Sequence, residues 1–177
     1  MVDVEADGPC PGEYSMVSFG AVIVEPGLNR TFYGQLKPVS DLWIPGALAV
    51  SGHSREETLL FPEPELAMKD FDRWLRQNLQ QGPTDISVRF ISDNNGFDWQ
   101  FINYYFHRFL KQNPFGFSST NLGSLYKGMQ KNMFVNFKKL RKTKHTHHPV
   151  SDAIGNAEAF LYMQEKMGLR TEKKKKR

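Results

Sequence analysis

The sequence has a single cysteine, Cys10, so no disulfide can close within it, and the small stapled folds that depend on several are excluded. Long apolar runs are missing too. The longest, Met16 to Val24, is interrupted by Ser18 and Gly20 and falls well short of the ~20 residues of a membrane-spanning helix. No basic-then-apolar leader opens the chain, so a cytoplasmic address is the expectation. Neither internal repeats nor a glycine excess points to a fibrous or solenoid protein. What is present suits a globular domain: 177 residues, 40% hydrophobic and 13% aromatic, enough to bury roughly 70% of the extended surface. We expect one domain over residues 1–169 and a flexible basic tail over 170–177.

The net charge of +4 is unevenly spread. Lys138, Lys139, Arg141, Lys142 and Lys144 form one acid-free cluster, and Lys173 to Arg177 form another. Without those ten the remainder holds 13 basic against 19 acidic residues, a net of −6. An acidic body with basic segments fits a protein that grips a polyanion at one place and holds carboxylates elsewhere. A lysine-rich terminus is also what a solvated tail looks like.

Val2 to Val4 reads as a short strand cut off by Gly8-Pro9-Cys10-Pro11. Ser15 to Glu25 and Thr31 to Val39 read as two longer strands joined at Pro26-Gly27. A Pro/Gly-punctuated loop follows. The spacing then predicts a helix over Pro64 to Leu79 ended by Gly82-Pro83, a strand over Ile86 to Ile91, and an aromatic-rich helix over Phe97 to Leu110. A weak strand near Phe117, a short helix over Asn121 to Asn132 and a closing helix over Pro149 to Leu169 complete an α/β order.

Asp3 and Glu5 lie two apart on a strand, so both project from one face and can converge on a cation, although such a pair also arises as plain surface charge. Asp7 continues the spacing but falls in the following loop. Asp98 sits beside an apolar stripe of Ile102, Tyr105, Phe106 and Phe109, where a lone carboxylate is costly unless compensated; the positive end of the helix offers one compensation. Asp152 lies in the first turn after Pro149, and His147 precedes it by five residues. His145, His147 and His148 compete for the role of proton acceptor, and the same cluster also suits a solvated patch or a transition-metal site.

Taken jointly, Asp3-Val4-Glu5 with Gly8, then Asn94-Asn95-Gly96-Phe97-Asp98, then His147-His148-Pro149-Val150-Ser151-Asp152-Ala153, resemble the three motifs of the DEDDh branch of the 3'-to-5' exonucleases. Val50-Ser51-Gly52-His53 before Glu56 is similar to that family's small-residue turn, and the resemblance spans about Met1 to Gly168. It implies an α/β, ribonuclease-H-like fold with a mixed five-stranded sheet flanked by helices, and two divalent cations, Mg²⁺ or Mn²⁺. Matched by position, Asp3, Glu5 and Asp152 would ligate metal directly, Asp98 would be the fourth acid, and His147 the general base. Ala6 and Asn94 match positions that meet substrate. Phe97 and Trp99 are candidates for stacking on bases, although helical spacing suits Phe97 and Phe106 to packing. Lys142 and Lys144 are candidates for the phosphate backbone.

The function implied is hydrolysis of terminal phosphodiesters of single-stranded RNA or DNA from the 3' end by a two-metal mechanism, releasing nucleoside 5'-monophosphates. The expected partners are single-stranded 3' ends, with a homodimer left open. Two alternatives stand beside it: a catalytically silent nucleic-acid-binding or polymerase-accessory module, and a different metal hydrolase built on the three histidines. The sequence also departs from the pattern. Only two residues precede Asp3, which suggests a weakly held first strand; the 113–141 insert matches no pattern and is a candidate for shaping substrate choice.

Overall fold

A computed structural model describes residues 1–79 and 88–171 of the chain. Three strands open it: β1 (Val2–Ala6), β2 (Met16–Val22) and β3 (Thr31–Gln35) form an antiparallel sheet in the order β1-β2-β3. Two short helices, α1 (Pro45–Val50) and α2 (Arg55–Thr58), stand in the segment expected to be loop. Their local signals are compact: Pro45 begins α1, and a capping box between Ser54 and Glu57 begins α2. The first longer helix, α3, has the expected bounds (Pro64–Leu79), while Gly82-Pro83 and the start of the Ile86 strand lie outside the described residues.

β4 (Phe90–Ser92) then pairs in parallel with β5 (Ser119–Asn121), a little beyond the weak strand expected at Phe117. Between them runs α4 (Asn95–Tyr105), continued by a wider π turn over Phe106–Leu110. α5 (Leu122–Gln130), a 3-10 turn at Lys138–Leu140 and α6 (Pro149–Met167) close the described chain. Gly168 ends α6 in the left-handed region at φ 73°, the conformation a helix C-terminus favours and glycine adopts freely. The α/β class is as expected, but the five strands are hydrogen-bonded as a three-stranded antiparallel and a two-stranded parallel sheet, with β1 packed beside β4.

Strand alternation divides the core. Val2, Val4 and Ala6 point with Phe19 and Ala21 into one cluster that includes Phe71, Phe90, Phe101 and Tyr105. Met1 and Val22 join a second cluster with Leu122, Tyr126, Phe137 and the Ala153, Ala157 and Phe160 face of α6. β1 is not weakly held. It pairs with β2 from Val2 to Ala6, with a register shift after Glu5, and the Met1 nitrogen donates to the Val22 carbonyl at 2.8 Å. No helix among the described residues is long and apolar enough to cross a membrane.

Candidate active site

On β1, Val2, Val4 and Ala6 are spent on the core, which leaves Asp3 and Glu5 to project together from the other face. Gly20 of β2 lies directly across from Asp3. A Cβ at that position would come within 2.3 Å of the Pro149 carbonyl carbon and the Val150 nitrogen. The missing side chain therefore lets the first turn of α6 settle against the sheet, and that turn carries Asp152. The outcome is a cluster in which one carboxylate oxygen each from Asp3, Glu5 and Asp152 lie within 4.8 Å of one another.

Asp98 joins from α4, where it is 2% exposed. Its Oδ1 accepts a hydrogen bond from the Val4 amide at 3.1 Å, and its Oδ2 is buried with no partner. Among the described residues, no lysine or arginine forms an ion pair with Asp3, Glu5, Asp98 or Asp152. The electrostatic consequence is that Asp3, Glu5 and Asp98 resist ionisation. Burial, then Asp98, Glu5 and Asp152, push Asp3 well above the usual carboxylate range, and Arg141 offsets this only in part. Burial and the neighbouring Asp152 raise Glu5 to about 7. Burial raises Asp98 to about 8, with Asp93 and Glu5 adding to it and the Ser92 hydroxyl and Val4 amide pulling the other way. A cluster of oxygen donors that repel one another, with one buried oxygen unpartnered, is the donor chemistry that a hard divalent cation satisfies. The residues present fit such an ion.

The loop before α6 is built around Asp152. Its Oδ1 accepts from the Thr146 amide at 3.0 Å and its Oδ2 from the His147 amide at 2.9 Å. These bonds hold His147 at φ 58°, a left-handed conformation that costs a non-glycine residue on the order of 1 kcal/mol. Pro149 takes the first helical position, and His148 before it is extended, as a residue preceding proline prefers. The His147 ring is half-exposed, with Nδ1 3.9 Å from Glu5 Oε1. His145 places its Nδ1 2.8 Å from Asp152 Oδ2. His148 turns away and stacks on Tyr33, ring centroids 5.1 Å apart. Of the three histidines the sequence left in competition, two face the acids and one does not.

The remaining candidates are placed as follows. Asn94 is exposed at the start of α4, and Lys142 and Lys144 are exposed in the loop leading to His145. Ala6 is buried in the core at the end of β1. Phe97 packs on Phe101 at 5.0 Å and Trp99 on Phe90 at 5.1 Å, both half-buried, while Phe106 is fully buried. Arg141 does not share the exposure of its lysine neighbours: its side chain is 7% exposed, and its guanidinium pairs with Asp93 at 2.9 Å and also donates to Asn156 of α6. Asp7 is structural too, accepting from the Ser15 amide at 2.6 Å and pairing with Arg55 at 3.0 Å.

Sequence reasoning missed Gly20 and Glu158. A glycine inside an apolar strand signals a close approach of another backbone, which is what Gly20 provides. Glu158 accepts from the amides of Lys142 and Thr143 at 2.7 and 2.8 Å, and so tethers the lysine loop to α6; nothing in the sequence pattern marks that contact.

No family model matches the chain. It is 42% identical over 130 residues to a protein of Escherichia coli named 3'-5' DNA exonuclease Cap18, covering 72% of this chain and 67% of that one. Among solved structures, the nuclease domain of 3'hExo, a DEDDh family member bound to rAMP, superimposes with a TM-score of 0.72 at 15% identity, over 98% of this chain and 95% of that one. E. coli exonuclease I in complex with a dA16 oligonucleotide matches with a TM-score of 0.64 at 16% identity, over 93% of this chain and 40% of that one.

Proposed function

The chain belongs to the DEDDh family of 3'-5' exonucleases, and from that premise we propose that Asp3, Glu5, Asp98 and Asp152 hold a pair of divalent cations, Mg²⁺ or Mn²⁺, and that His147 is the general base. The substrate on this reading is the 3' end of single-stranded nucleic acid. DNA comes first, because the 42%-identical relative is named a DNA exonuclease. The observation that carries the proposal is the gathering of one carboxylate oxygen each from Asp3, Glu5 and Asp152 within 4.8 Å, with no lysine or arginine among the described residues paired to them.

Cations held there supply positive charge against the oxygens that become more negative as the phosphodiester is cleaved. His147, open to solvent beside Glu5, accepts the proton of the attacking water. The water oxygen bonds to the terminal phosphorus, the bond from phosphorus to the penultimate 3' oxygen breaks, and that oxygen leaves on the shortened strand and takes a proton from solvent. The product is a nucleoside 5'-monophosphate. Asp152 has two duties, since the carboxylate that faces Asp3 and Glu5 also fixes the backbone of the base-bearing loop. Asn94, Lys142 and Lys144 are the exposed residues we assign to substrate contact.

The test supplies matched single-stranded DNA and RNA oligomers with Mg²⁺ or Mn²⁺ and identifies the released products by chromatography. Nucleoside 5'-monophosphates accumulating from the first turnover, faster from DNA than from RNA, is the expected result. Release of nucleoside 3'-monophosphates, or of short oligomers only, would overturn it.

A further inference from the structure

The loop that presents His147 also presents a second imidazole to the same carboxylate, and the two histidines form a donor group distinct in chemistry from the acids. One ligand atom each from His145, His147 and Asp152 lie within 4.8 Å of one another. The His145 and His147 rings meet edge to face at 4.3 Å, and both are half-exposed, so their nitrogens can swing without disturbing the core. Asp152 is held still by two backbone amides, which leaves it an oriented oxygen against which the mobile imidazoles can close. Two imidazoles and a carboxylate favour a borderline transition ion such as Zn²⁺ over Mg²⁺, which prefers oxygen throughout. Tetrahedral zinc sets its ligand atoms about 3.4 Å apart, so His145 Nδ1 and Asp152 Oδ2, now 2.8 Å apart, need open only slightly to admit the ion.

We propose that His145, His147 and Asp152 form a zinc-class metal site that competes with the acidic site, because an ion bound there engages Asp152 and His147 together. The inhibition this entails rests on the function proposed above; the metal site itself does not.

The two are separated by measuring binding without substrate. The full chain, stripped with chelator, is titrated with Co²⁺ while its visible absorption is followed, and Zn²⁺ is then added in competition. Loss of a ligand costs at least what loss of a supporting partner does, so His145→Ala or His145→Gln should weaken Co²⁺ and Zn²⁺ binding by roughly 10- to 100-fold or more. His148→Ala should leave both affinities unchanged, and Mn²⁺ affinity should survive in all three variants. In the oligomer assay, the Zn²⁺ concentration for half-inhibition should rise by the same factor in the His145 variants, each scored against its own zinc-free rate. Circular dichroism establishes that each variant is folded. Unaltered Zn²⁺ affinity in folded His145→Ala and His145→Gln would place zinc among the acids and overturn the inference, as would an equal loss in His148→Ala. His145-dependent Co²⁺ binding by a protein that degrades no oligomer would uphold the metal site and sink the proposed function instead.

Discussion

Neutralising Glu5 should stabilise the protein when no divalent cation is present. Glu5 ordinarily titrates near 4.5, and burial beside Asp152 raises it to about 7 in the folded chain. A group raised in this way contributes stability that is fully present below its unfolded value and is lost as pH climbs through its folded one. From 4.5 to about 7 that loss is roughly 3 kcal/mol, complete by about pH 8. Glu5→Gln keeps the shape and removes the charge. In chelator at pH 8 the variant should therefore melt higher than the parent, by ~6–12 °C at the roughly 2–4 °C per kcal/mol expected for a chain of this size. At pH 5, only just above the unfolded value, little of that loss has accrued, about 0.8 kcal/mol, and the variant should melt just ~2–3 °C higher. Adding Mn²⁺ at pH 8 should raise the parent far more than the variant, because a cation relieves the repulsion that the substitution has already removed. Calorimetry or circular dichroism at the two pH values, with and without Mn²⁺, reads all of these quantities. A Glu5→Gln protein that melts below the parent in chelator at pH 8 would refute the reasoning.

Three further outcomes follow from the same geometry. His147→Ala should lower turnover by roughly 10² to 10⁴ without abolishing it, the usual contribution of a general base, while Mn²⁺ affinity measured by calorimetry holds. Gly20→Ala should cost about 1–3 kcal/mol in a denaturant melt, since the new methyl meets the Pro149–Val150 backbone, and activity should fall further than that loss explains because α6 and Asp152 move away from Asp3. Replacing both Lys142 and Lys144 by Ala should weaken binding of single-stranded oligomers and flatten the plot of log affinity against log salt by about 1.4, with kcat little changed.

Much of the site was legible because its chemistry is written in local spacing. Asp3 and Glu5 share a face through the two-residue period of a strand, and Asp152 and His147 are fixed relative to one another by the start of a single helix. The helices at Pro64 and Pro149 were equally plain, since proline marks their first turns. What escaped depends on contacts distant in sequence. Arg141 reads as one of five exposed cations until its pairing with Asp93, 48 residues away, removes it from the surface. Splitting of the strands into two sheets depends on whether β1 and β4 are close enough to hydrogen-bond, which neither strand's own residues encode. α1 and α2 were overlooked because helices of six and four residues show too little periodicity to stand out from a Pro/Gly-rich loop.

Anomalous scattering from a crystal of the protein grown with Mn²⁺ tests the central claim most directly, because it locates the ion without reference to activity. The account places the manganese signal among the carboxylate oxygens of Asp3, Glu5 and Asp152. A well-ordered crystal with those side chains in place and no signal between them would contradict it.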